Sequence, residues 1–321
     1  MSRSNRRAVL ITGASGFLGS YIAEACRTFD TSILGVDRNP PKDSAMWDRF
    51  LVDSLESAPL DCLLRDFETS TVFHLAGGAS VPDSVQIPYR DFATSVPGTV
   101  KLLSEIIQYR PSAHVIFVSS AAVYGDPVSL PISEDAEVAP ISPYGIHKVM
   151  SEYALQQYAR IYQLKVSILR VFSVFGPGLR KQLFWDLARR ASQALACGEN
   201  RVILQGTGGE SRDFIFASDV AKAALHISES HGSVGFETYN VGSGCETAIR
   251  DAAGLFFAQF SPGIEIVFDG EIRPGVPRNW CADVAKLRES GFAMGTSFEQ
   301  GISLLAKWLK KEIGSNSQAS Y

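Results

Sequence analysis

"LITGASGFLGSYIAEAC", residues 10–26, sets glycines at 13, 16 and 19 between two apolar stretches. A run of buried-strand character, AVLIT at 8–12, leads into this segment, and a helical pattern leads out of it. A second apolar run, SILGVD at 32–37, ends in an acid. Two readings compete for the glycines: a plain strand–helix turn, or a cradle for phosphate. A helix N-terminus offers unpaired N–H groups and the positive end of its dipole to a pyrophosphate. Glycine lets the backbone approach where a side chain would stand in the way. An acid closing the second strand accepts from a ribose 2′-hydroxyl and repels a 2′-phosphate. With strand, loop, helix, strand and acid in this order, the segment is expected to bind a dinucleotide. Gly13, Gly16 and Gly19 would lie at the pyrophosphate, and Asp37 favours NAD over NADP, a preference that Arg38 beside it softens. Asp53, after the presumed third strand RFLV, either approaches the adenine or caps the strand end.

The first half continues in the same style. TVFHLA (71–76), HVIFVSS (114–120) and VSILRVF (166–172) are nearly continuous apolar runs, separated by helical patterns such as YGIHKVMSEYALQQYARIY. Strands apolar on both faces belong to a buried parallel sheet, and strand–helix alternation predicts a doubly wound α/β fold. Residues 1–173 are expected to form this dinucleotide-binding domain, with segments near 213–242 returning to it. Residues 174–321, looser and richer in Gly and Pro, are expected to form mainly a smaller substrate-binding lobe that ends in a helix near FEQGISLLAKWLKKEI.

Composition narrows the function. The chain has 321 residues, 45% hydrophobic and 20% charged, with a formal net charge of -4. That charge gives no polyanion-binding face, so no nucleic-acid partner is expected. Five scattered cysteines without a Cys-x-x-Cys pair read as reduced thiols. The apolar run after the basic N-terminus is too short for a secretory signal or a membrane span. The expectation is a cytoplasmic protein with no membrane association and no metal.

SPYGIHK places Tyr144 and Lys148 four residues apart, one turn of a helix that starts after Pro143. A phenol with a pKa of about 10 is a poor base at neutral pH, and lowering it by about three units takes about 4 kcal/mol. One cation about 4 Å away, at an effective dielectric near 20, supplies roughly that much. Desolvation opposes it, so Lys148 and an oxidised nicotinamide are both expected to contribute. Ser120, at the end of HVIFVSS, either donates to a sugar hydroxyl beside Tyr144 or only forms a turn. Tyr124 with Gly125 is expected to shape the pocket wall. His74 reads as a satisfied interior histidine, His147 as a surface side chain, and Asp219 as a helix cap.

Together TGASGFLG, HLAG, VSSAAVYG, SPYGIHK, LRVFSVFGPG, RDFIFASDVAKA, YNVGSG and RPGVPRNWCADVAKL resemble the extended short-chain dehydrogenase/reductase family, the nucleotide-sugar epimerases and dehydratases of UDP-glucose 4-epimerase type. The resemblance runs from about residue 8 to residue 310. It implies retained NAD, a nucleoside-diphosphate sugar between the lobes, and a homodimer. It implies further that the Phe17 and Leu18 amides join the three glycines at the pyrophosphate, and that Leu75, Ala76 and Gly77 line the cofactor groove. Ser120, Tyr144 and Lys148 match the catalytic triad, while Arg212 and Arg273 match the residues that neutralise the substrate diphosphate, with Arg278 assisting. An arginine suits that task through its planar fork of donors.

The departures also carry meaning. Ala121 and Ala122 stand where the dehydratase branch carries an Asp-Glu pair, which argues against 4,6-dehydration. Ser173 replaces the family's asparagine, shortening a phosphate contact to a hydroxyl, and Gly78 and Ala79 replace the lysine of the galactose epimerases. Trp280 falls where those epimerases limit room for an N-acetyl group. The resemblance thus implies an NAD-dependent 4-epimerase, with a nucleotide 4-keto-6-deoxysugar reductase, using NAD(P), as the alternative. A dinucleotide-sensing protein without catalysis is the third reading.

Overall fold

The apolar runs of the first half become strands in a computed structural model that describes residues 7–78, 80–229, 234–271 and 277–318. In order, these elements are β1 (Arg7–Thr12), α1 (Phe17–Cys26), β2 (Ser32–Asp37), β3 (Arg49–Val52), α2 (Leu60–Asp66), β4 (Glu68–His74), α3 (Val81–Gln86), α4 (Pro88–Tyr109), β5 (His114–Ser120), α5 (Pro143–Tyr162) and β6 (Lys165–Val171). The second half adds β7 (Ser173–Phe175), α6 (Gln182–Ala196), β8 (Arg201–Leu204), β9 (Ser211–Phe216), α7 (Ala217–Glu229) and β10 (Gly235–Val241). The chain closes with β11 (Glu246–Ala248), α8 (Ile249–Phe260), β12 (Glu265–Phe268), α9 (Ala285–Glu289) and α10 (Phe298–Gln318).

Seven strands pair in the order β10-β6-β5-β4-β1-β2-β3, all parallel. The alternation of side chains explains why these strands are apolar throughout. Val9, Ile11, Ile33, Phe73, Ile116 and Leu169 pack beneath α1 and α7, with Ile22, Val220 and Ala224. Leu10, Leu34, Val72, Val115, Phe117 and Ile168 face α2, α4 and α5, with Leu63, Leu102, Ile106 and Leu155. Burying each such large side chain contributes about 1.5–3 kcal/mol. The doubly wound parallel sheet expected from the sequence is therefore what forms.

Strand order reverses beside β1, between β2 and β4, which opens a crevice at the carboxyl ends of the strands. The glycine loop leaves β1 there, and Leu75–Gly77 leaves β4 there. The second half builds two small sheets, β11-β9-β7 and β12-β8, against an aromatic core. Phe214 stacks on Phe298 at 5.2 Å, and Phe184 meets Phe256 at 5.5 Å. The chain re-enters the large sheet through β10, which pairs with β6 from Gly235–Lys165 to Val241–Val171. Among the described residues, no helix is long and apolar enough to cross a membrane.

Candidate active site

The glycine loop is tight because it must be. Gly13 sits at φ 69°, and a Cβ there would lie 2.8 Å from the Ala76 amide nitrogen. A Cβ on Gly16 would come within 2.9 Å of the Gly13 carbonyl, and one on Gly19 would collide with that carbonyl and approach Ala14 O to 2.8 Å. The Gly13 amide donates to Val36 O at 2.9 Å, pinning the loop to β2. Gly16 is the N-cap of α1 and brings no side-chain cap, so the amides of Phe17 and Leu18 open the helix towards the crevice. A cradle that any Cβ would fill, at a helix N-terminus, fits a pyrophosphate.

Asp37 lies at the edge of this cradle. Its carboxylate accepts from the Ser15 amide at 3.1 Å and the Asn39 amide at 2.9 Å, which fixes its orientation beside the loop. Leu75 and Ala76 are tied to the end of β1, their amides donating to Thr12 O at 3.1 Å and Thr12 Oγ1 at 3.2 Å, and Gly77 follows at φ 139°. Asp53 behaves as a strand-end cap: its carboxylate accepts from Ser54 N at 2.7 Å and Ser57 Oγ at 2.6 Å, bonds that hold its pKa below the ordinary value. His74 is fully buried between the hydroxyls of Thr12 and Thr99, each 2.8 Å away, and desolvation lowers its pKa to about 3. It is a neutral interior histidine, in keeping with the sequence reading.

Helix α5 delivers Tyr144 and Lys148 by local means. Ser142 caps it, accepting from Gly145 N at 3.2 Å, and Pro143 stands in its first turn. The Tyr144 amide, unpaired within the helix, donates to Ser84 Oγ on α3 at 3.0 Å. Gly145 allows α5 to press on the turn after β5, since a Cβ there would lie 2.6 Å from Ala122 O. That close approach sets the Ser120 hydroxyl beside the Tyr144 phenol, where it favours the phenolate. Lys148, 5% exposed, donates to Val118 O at 2.9 Å and lies 5.9 Å from the Tyr144 ring centre.

In the chain itself, desolvation dominates this pair. It raises Tyr144 to about 12, against the opposing effect of the Ser120 hydrogen bond, and Asp91 adds to the rise. It lowers Lys148 to about 8, with Glu152 and Asp91 opposing. Tyr144 is therefore a neutral phenol until further positive charge enters the site, the same balance as the energetic argument from the sequence.

Tyr144 and Ser120 line a cleft of about 560 Å³ together with Ser173, Arg212, Arg278 and Trp280. Segment 175–186 also contributes to the lining, with Lys181 and Gln182 at the entry to α6; Gln182 has φ 67°. Arg212 donates to the carbonyls of Ser211 at 2.7 Å and Arg278 at 3.0 Å, and its guanidinium lies 5.5 Å from the Trp280 ring centre. Among the described residues no carboxylate comes within ion-pair distance of it, so its charge is available to the cleft. Trp280 is oriented by its Nε1–H, which donates to Gly125 O at 3.0 Å. Arg273 lies outside the described residues.

Three expectations are corrected. His147 is buried, 9% exposed, with Nδ1 2.5 Å from Asp91 Oδ2. It shares an i, i+4 row with Ser151 and Leu155, which faces the interior. Tyr124 is 1% exposed and does not line the cleft. Its hydroxyl donates to Asn240 Oδ1 at 2.7 Å and accepts from Arg170 at 3.0 Å, within a network that Arg170 extends to Glu152 at 2.8 Å. Asp219 binds the Gly295 and Thr296 amides at 3.2 and 2.9 Å, tethering the segment before α10 to α7. Sequence reasoning also missed Asp91 and Ser84, whose partners lie on other helices.

The family model described as the NAD dependent epimerase/dehydratase family matches residues 9–242. This chain belongs to that family. The UDP-glucose 4-epimerase of Mycolicibacterium smegmatis is 32% identical over 252 residues, covering 75% of this chain and 79% of that protein. The structure of the UDP-glucose 4-epimerase of Thermotoga maritima with UDP-glucose is 29% identical, with a TM-score of 0.85 over 95% of this chain and 99% of that one. The structure of MoeE5 with UDP-glucuronic acid and NAD is also 29% identical, with a TM-score of 0.84 over the same shares. As an epimerase/dehydratase family member the protein is an NAD-dependent enzyme, and the glycine cradle is sterically suited to the dinucleotide.

Proposed function

We propose that this protein is a nucleotide-sugar 4-epimerase acting through a transient 4-keto sugar. The observation that carries this reading is that Ser120 and Tyr144 line one cleft with Arg212, while Lys148 lies buried one helical turn from Tyr144. Gly13, Gly16, Gly19, the Phe17 and Leu18 amides, Asp37 and Leu75–Gly77 would hold NAD, with Tyr144 and Lys148 at its nicotinamide end. The chemistry NAD supplies when bound is uptake of hydride from carbon 4 and its return to the opposite face of that carbon.

The chain's own residues position and move the proton. Tyr144, once a phenolate, accepts it from the 4-hydroxyl, with Ser120 relaying between the two oxygens. Lys148 holds a positive charge beside the phenolate. Arg212 and Arg278 anchor the diphosphate, Ser173 contributes a hydroxyl, and the sugar turns about that anchor. Trp280 walls the sugar end and disfavours N-acetylhexosamines. Residues 174–321 supply mainly the substrate-binding lobe. Ile146, Met150 and Tyr153 form an exposed i, i+4, i+7 face of α5, and Tyr89 is exposed on α4; these apolar side chains are suited to a homodimer surface.

The test measures bound NAD first, then products from UDP-, GDP- and dTDP-sugars, plain and N-acetylated, by mass spectrometry and NMR. Epimerisation at carbon 4 that disappears in Tyr144→Phe is the expected result. Undiminished epimerisation by Tyr144→Phe removes Tyr144 from the mechanism. A protein purified free of cofactor that reduces a 4-keto-6-deoxysugar would favour the reductase reading instead. Equal turnover of plain and acetylated sugars would end the role given to Trp280.

A further inference from the structure

On the same helix as Tyr144 and Lys148 the fold buries a hydrogen-bonded pair that the scheme above does not use. Asp91, on α4, is 8% exposed, and His147, on α5, is 9% exposed. The Nδ1–O distance is 2.5 Å; a carboxylate accepts, so Nδ1 carries the proton. Phe92 sets its ring edge-on to the imidazole at 5.6 Å. A Cβ on Gly78 would collide with the Asp91 carboxylate, so the glycine there makes room for it. The Asp91 charge reaches both reacting side chains, opposing ionisation of Tyr144 and favouring the ammonium of Lys148.

We propose that Asp91 and His147 are a positioning pair that sets the charge felt by Tyr144. The carboxylate helps keep Lys148 an ammonium, and the imidazole bound to that carboxylate offsets its repulsion of the phenolate. Neither group needs to touch the sugar. The inference rests on the reading of Tyr144 as the base. Of the other charged groups around α5, Glu152 also favours the Lys148 ammonium but is paired with Arg170 at 2.8 Å, and Asp83 on α3 acts on Lys181. His74 is neutral and fully buried. Asp91 is thus the acid whose charge is felt by both Tyr144 and Lys148 from across the α4–α5 contact.

The test is a tyrosinate absorbance titration of NAD-loaded protein, with each variant referenced to the same protein carrying Tyr144→Phe. Asp91→Asn is expected to move Tyr144 ionisation down by about one pH unit, and His147→Gln to move it up by a smaller amount. The acid limb of turnover should follow each shift. Shifts of the same sign, or loss of activity with neither titration moved, overturn the proposal, because a merely structural pair has no reason to act with opposite signs. Should His147→Gln fail to fold, the near-isosteric Asp91→Asn decides alone: ionisation at or above the wild-type pH overturns the proposal. The titration needs no sugar. Inactivity towards every nucleotide sugar would sink the proposed reaction without touching this result.

Discussion

Gly19→Ala tests the cradle because two effects oppose each other there. Gly19 lies inside α1, where alanine is the better helix former by about 1 kcal/mol. Propensity alone therefore predicts a slightly more stable protein with unchanged cofactor binding. The structure predicts otherwise, because the new Cβ collides with Gly13 O and lies 2.8 Å from Ala14 O. Both are backbone atoms, so relief requires the loop itself to retreat by about an ångström, the difference between a made and a lost hydrogen bond. Losing two charge-assisted amide bonds to a pyrophosphate, at about 1.5–3 kcal/mol each, costs about 3–6 kcal/mol, or roughly 10²- to 10⁴-fold in NAD affinity. The assay is calorimetric titration of NAD into stripped protein, with circular dichroism and thermal unfolding to verify the fold. A folded Gly19→Ala protein that binds NAD within threefold of wild type would refute the argument.

Lys148→Met removes an ammonium 5.9 Å from the Tyr144 ring centre, an interaction of about 3 kcal/mol at an effective dielectric near 20. The acid limb of turnover should therefore rise by about two pH units; a uniform loss of rate with an unmoved limb would limit Lys148 to binding. Acid stability should depend on His74 and His114, whose folded pKa values burial lowers to about 3 and about 4. The unfolded chain binds these protons first, so stability falls as pH drops below about 6.5, by about 2 kcal/mol per histidine at pH 5. Urea unfolding of His74→Gln and His114→Gln should show a shallower dependence between pH 7 and 5. An unchanged slope in both would show that neither histidine controls it.

The parts of the site that were legible in the sequence are those built from neighbours along the chain. The glycine loop, its helix and Asp37 fall within one strand–helix–strand unit, and Tyr144 and Lys148 are one turn apart. Backbone geometry makes their placement follow from spacing. Asp91 and His147 meet only because α4 packs on α5, and no local spacing records that contact. A helical wheel carries a trace of it: Asp91 shares a buried stripe with Ser95 and Leu102, and His147 one with Ser151 and Leu155. Tyr124 was misjudged for a similar reason. Tyr124 with Gly125 reads from the sequence as a pocket wall, whereas the hydrogen-bond partner of Tyr124, Asn240, arrives from β10, far along the chain.

That late arrival of β10 has a consequence for synthesis. Translation yields β6 well before residue 235, so a nascent chain carries an unpaired edge while the intervening elements emerge. A chain truncated in that interval would expose a ladder of free amides and carbonyls, ready to capture another unfinished copy. Completion of the smaller sheets and closure of the large one are thereby linked in time, and the tether through Asn240 to Tyr124 is made only when the last edge docks.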